Sequence, residues 1–166
     1  KAIRRQRQMC IRDRQVAVTA EDGFAVVYEI GGKSLHLLDS KGLVKEMTME
    51  GEIFSVEMGA GGKFAVTLKK TGYKTAVSVY NGKGEPLYEF SSAQKYLMTA
   101  AVSENGKYMA AAAMGQDSGT FVSSLQIYKL TSDAQQADAS VDGGVYELGT
   151  VDGRFCAVTD KALCFV

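Results

Sequence analysis

The chain has 166 residues, 46% of them hydrophobic, with 19 basic and 19 acidic side chains, 18 glycines, one proline and no tryptophan. No run approaches the roughly 18 consecutive apolar residues that a membrane-spanning helix requires. The single histidine, His36, excludes a histidine pair, a His-based metal triad or a Ser-His-Asp set within these residues.

Residues 4 to 14, Arg4-Arg5-Gln6-Arg7-Gln8-Met9-Cys10-Ile11-Arg12-Asp13-Arg14, resemble the in-frame translation of a transposase-type sequencing adapter. Lys1-Ala2-Ile3 fits an upstream index more loosely. The other reading, a basic arm for nucleic acid or nuclear import, has little room beside so long a codon match. The resemblance implies that residues 1–14 are non-native, irregular and outside the fold. They hold six basic and one acidic side chain, leaving 13 basic and 18 acidic over residues 15–166, a net charge of −5. Arg154 is the lone arginine there. Such a stretch is poorly suited to nucleic acid or an anionic membrane surface.

From residue 15 onward the chain repeats. Asp22-Gly23-Phe24, Gly62-Lys63-Phe64, Gly106-Lys107-Tyr108 and Gly153-Arg154-Phe155 recur at spacings of 40, 44 and 47 residues. A period of about 40 to 50 with four short strands per unit is the pattern of β-propeller blades. The first unit predicts strands over 16–19, 24–28, 35–38 and 43–49. The second predicts 53–58, 64–68, 76–80 and 87–90. The third predicts 97–102, 108–114 and 125–128, with a vaguer segment at 137–141. The last begins at Val145, continues over 155–158 and stops at 163–166.

The second strand of each unit is almost continuously apolar, as in Phe64-Ala65-Val66, which predicts burial on both faces between neighbouring blades. Third strands such as Val77-Ser78-Val79 alternate, as half-exposed strands do. Ala110-Ala111-Ala112-Ala113 has helix-forming composition, yet it is short, lies between Gly106 and Gly115, and occupies the slot of Phe64 to Thr67. It is read as a strand that lets blades approach closely. Pro86 opens an outermost strand, where a missing N–H is tolerated. The fold expectation is therefore all-β: a partial β-propeller of about three and a half four-stranded antiparallel blades in an open arc. The blades are placed at about 15–49, 50–91, 92–141 and an incomplete 142–166. The adapter at one end and a stop inside a blade at the other read as a fragment of a longer protein.

Ser103-Glu104-Asn105-Gly106-Lys107-Tyr108 resembles the turn of WD-repeat propellers, without that family's Trp-Asp or histidine marks. Residues 51–131 look closer to an uncharacterised Gram-positive bacterial family of membrane-tethered propellers. The residues that carry this are Gly72-Tyr73-Lys74, Val77-Ser78-Val79-Tyr80-Asn81, Tyr88-Glu89-Phe90 and Ser124-Leu125-Gln126-Ile127-Tyr128. That resemblance implies an extracytoplasmic propeller behind an N-terminal transmembrane helix, with no assigned activity.

Chemistry-bearing constellations are sparse. No calcium-loop spacing occurs, the glycine-rich stretches at 31–32 and 59–62 lack the Lys-Ser/Thr of a phosphate cradle, and His36 reads as solvent-facing. Catalytic, cofactor and metal residues are therefore assigned to none. Cys156 and Cys164 flank a hairpin; they are read as free thiols, with a disulfide as the alternative if register brings them opposite. The functional lead is two connections longer than a hairpin needs, residues 69–74 and 115–123, which offer Tyr73, Lys74, Gln116, Asp117 and Phe121 as partner-binding residues. The function expected is a non-enzymatic binding or scaffolding module for a protein or cell-envelope ligand. The rival is an enzyme whose catalytic residues lie in further blades.

Overall fold

The computed structural model describes residues 15–132 and 134–166; the adapter-like residues 1–14 lie outside them. Fifteen strands among the described residues form four antiparallel sheets, each built in chain order from its first strand outward. The first holds β1 (Gln15–Glu21), β2 (Phe24–Ile30), β3 (Ser34–Asp39) and β4 (Gly42–Thr48). The second holds β5 (Ile53–Met58), β6 (Phe64–Leu68), β7 (Thr75–Tyr80) and β8 (Pro86–Ser92). The third holds β9 (Tyr96–Val102), β10 (Tyr108–Asp117), β11 (Thr120–Lys129) and β12 (Gln135–Val141). The fourth holds β13 (Val145–Val151), β14 (Arg154–Thr159) and β15 (Leu163–Phe165).

The repeated glycine marks are the turns between first and second strands. In the first and fourth sheets they are two-residue turns, Asp22-Gly23 at φ 50° and 78° and Asp152-Gly153 at φ 50° and 75°. Two successive left-handed residues match the twist of the flanking strands, which is why Asp-Gly recurs there. In the third sheet the Asn105 side chain accepts the Lys107 N–H at 2.9 Å. In the second, a short 3-10 turn over Ala60–Gly62 widens the corner and receives the neighbouring sheet. A Cβ on Gly62 would come within 2.8 Å of the Phe24 ring, so glycine is required by that close approach.

Alternation then builds three apolar layers, one between each pair of successive sheets. Val26, Tyr28, Leu35 and Leu37 pack on Ile53, Val56, Phe64 and Val66. Ala65, Val77 and Val79 pack on Leu97, Val102, Met109 and Ala111. Ala110, Ala112 and Leu125 pack on Leu148, Phe155 and Ala157. The alanine run is strand, as its slot predicts: its methyls point alternately into the second and third layers and are buried on both sides. Pro86 opens β8, the outermost strand of its sheet.

First strands stand side by side along the inner edge. Thr19 Oγ1 accepts the Met58 N–H at 3.2 Å, and the Ser55 hydroxyl donates to the Met98 carbonyl at 3.3 Å. Among the described residues the first and fourth sheets do not pack on one another, so the arc is open, as the unit count predicts. Val16 and Val18 on the first sheet, and Leu163 and Phe165 on the fourth, are exposed. Cys156 pairs with Phe165 while Ala157 pairs with Cys164, so the thiols face opposite sides of their sheet and both are free.

Candidate docking face

Connections between second and third strands emerge at the end of the arc where each first strand begins. Backbone bonds fix this. The Gly31 N–H donates to the Ile53 carbonyl at 2.8 Å, and the Lys69 N–H donates to the Glu52 carbonyl at 2.9 Å. The residues singled out from the sequence all lie at this end, in two places.

Tyr73 and Lys74 form the close of the connection from β6 to β7. The Lys74 N–H donates to the Ser92 carbonyl at 2.9 Å. Its ammonium donates to the Gln94 carbonyl at 2.7 Å and lies 4.9 Å from the centroid of the Tyr96 ring. A cation over a ring face is attracted to its quadrupole, so Lys74 staples a second-sheet loop to the entry of the third sheet. With Phe54, Tyr73 and Tyr96 it lines a hollow of about 580 Å³.

Gln116, Asp117 and Phe121 are not in a loop, and the expected long connection over 115–123 is corrected. β10 and β11 continue through it, pairing Gly115 with Val122, Gln116 with Phe121 and Asp117 with Thr120. Only Ser118 and Gly119, at φ 49° and 83°, form the turn. Two left-handed residues flanked by Thr120-Phe121-Val122 favour a tight hairpin over an open loop. β9 reaches only to Tyr96, opposite Met114, and β12 only to Val141, opposite Ser123. Residues 115–122 therefore project as a two-stranded ribbon. Beside it lies a hollow of about 690 Å³ lined by Phe121, Val122, Gly144 and Lys161.

A third hollow, of about 250 Å³, joins the ribbon's root to the fourth sheet through Met98, Met114 and Tyr146. Phe121 and Tyr146 are 74% and 75% exposed, which marks them as large apolar side chains with nothing covering them. Sequence reading missed Phe54, Tyr96, Met98 and Tyr146. It also missed Glu57, which burial, aided by the Glu147 charge, pushes up to about 7, against a hydrogen bond from Thr99 that favours its charged form. That bond is long, 3.5 Å. His36 is half-exposed on the open face of the first sheet, 3.5 Å from Glu46. Among the described residues no cluster of three or more His, Cys, Asp or Glu side chains could hold a metal ion.

Four antiparallel sheets stacked face to face, each wound outward from an inner strand, define the chain as part of a β-propeller. It belongs to a family of unknown function, DUF5711, whose model matches residues 14–165. Two solved structures are similar. The Kuenenia stuttgartiensis hydrazine synthase has a TM-score of 0.59 and 16% identity, over 86% of this chain and 42% of that one. KlAtg21, solved in complex with the coiled coil of AgAtg16, has a TM-score of 0.65 and 13% identity, over 92% of this chain and 52% of that one. The chain thus spans about half the length of these structures. No curated protein matches its sequence.

Proposed function

We propose that the chain is a non-enzymatic binding module that docks a protein partner on the loop end of its second, third and fourth sheets. The observation that supports this most is the gathering of uncovered apolar side chains there, with Phe121 and Tyr146 flanking adjoining hollows. Monomeric surfaces rarely leave such side chains in a contiguous group unless something binds them, and aromatic anchors dominate protein interfaces. Of the fold neighbours, KlAtg21 was solved holding another protein, so a propeller in a docking role has precedent. From the resemblance to membrane-tethered bacterial propellers we further propose an extracytoplasmic, membrane-anchored setting; among the described residues no helix is long and apolar enough to cross a membrane.

A photo-crosslinking residue at position 121 or 146 should trap one discrete partner in cells, whereas the same residue at Val44, on the remote fourth strand, should not. Equal trapping from all three positions would remove the docking face from consideration. A membrane-anchored setting predicts that the partner and the chain co-fractionate with the envelope.

A further inference from the structure

We infer that the two open ends of the arc close on a second copy of this chain, the first sheet of each copy seating on the fourth sheet of the other. The repeat itself shows what each end is built to meet. Residues directly opposite on paired strands share one side of a sheet. On the fourth sheet Cys156 pairs with Phe165 and Val158 with Leu163, on the side away from the third sheet. Val158, Leu163 and Phe165 are exposed there.

The turns Asp22-Gly23 and Asp152-Gly153 have the same backbone shape, which sets β2 and β14 in one register. Cys156, Val158, Leu163 and Phe165 therefore fill the slots that Val26, Tyr28, Leu35 and Leu37 fill on the first sheet. On the first sheet the next sheet covers all four, and none is more than 8% exposed. The other end matches in the opposite sense. Val18 pairs with Val27 as Leu148 pairs with Ala157. Leu148 and Ala157 are buried against the third sheet, whereas Val18 is 64% exposed.

One end of the arc thus carries a face that elsewhere meets a following sheet, and the other a face that elsewhere meets a preceding one. A second copy brings one of each, so a single partner covers both. His36 and Glu46 share the open side of the first sheet on its outer strands, where the three-stranded fourth sheet would leave them at a polar rim. Size selects two copies. Propellers close with about 4–8 sheets, and two arcs of four sheets reach that upper figure. The chain covers 42% and 52% of the two similar structures, so a pair approaches one ring. Head-to-tail contacts that close stop there, while contacts that do not close run on as filaments.

Sedimentation of the full 166-residue chain over a dilution series tests this. At high concentration the mass should be twice the 17.8 kDa of one chain, falling to one chain on dilution. Val18→Lys and Val158→Asp change exposed side chains at opposite ends, so circular dichroism should show both variants folded. Each alone should weaken the pair about 100-fold, because an unpaired charge enters both contacts. Mixed together they should recover to within about tenfold of the unsubstituted chain, since one contact is then native and the other sets Lys against Asp. Phe121→Ala should leave the mass unchanged, which separates this contact from the candidate docking face. A mass of one chain at every concentration would mean that something other than a second copy covers these faces. Species larger than two chains, or a mixture that fails to recover, would equally overturn the paired ring.

Discussion

β2 and β6 are written almost alike, Phe-Ala-Val-Val-Tyr against Phe-Ala-Val-Thr-Leu, and they fare differently. Every residue of β6 is buried, because sheets lie on both of its sides. In β2 only Val26 and Tyr28 are buried, the side chains that meet the second sheet, while Ala25 and Val27 stay partly open. The two strands are nearly alike in composition; their neighbours are what differ most. In a stacked repeat, stability resides in interfaces between units more than in the units themselves.

The sharpest way to test that contrast is to truncate the same repeat position in both. Phe64 is fully buried and stacks on Tyr80 with centroids 5.3 Å apart. Phe64→Ala should lower unfolding free energy by about 3–5 kcal/mol. Phe24→Ala, where the ring lies only partly covered against Gly62, should lose about half as much. Equal losses in urea titration would mean that sheet position does not matter. A gentler test enlarges instead of truncating. Ala111→Leu forces volume into a layer closed on all sides and should cost about 1–3 kcal/mol, whereas Ala25→Leu on the open face should be near neutral. The smallest effect concerns charge. Glu57 has a folded-state pKa raised to about 7, so the folded chain holds its proton more tightly than the unfolded chain does. That contribution is greatest below about pH 4.5 and is lost as pH rises towards 7. Glu57→Gln should therefore raise stability at pH 8 by about 1–2 kcal/mol, allowing for its partial solvent contact, and change little at pH 4. A difference that does not vary with pH would break the link to titration.

Strand positions were legible because alternation and left-handed turn residues are local signals. β5 and β6 fall on the predicted residues 53–58 and 64–68. The ribbon at 115–122 was not, because Gly115 and Gly119 read as loop while the pairing that makes them strand depends on a partner across the turn. The candidate docking face was half-legible. Tyr73 and Phe121 stood out as aromatics near turns, but Phe54, Met98 and Tyr146 owe their exposure to register slips. A slip of one residue inverts which face a side chain takes and leaves no trace in composition. Glu57 and Glu147 are brought near one another only by the stacking of β5, β9 and β13.

The alanine run in β10 has a consequence of another kind. A methyl group has no rotamers to lose, so burying Ala110 to Ala113 between two sheets carries no side-chain entropy penalty, unlike the leucines and methionines around it. The third sheet is thus seated by backbone shape, with little side-chain freedom left to average out. The projecting ribbon that carries Phe121 grows directly out of it.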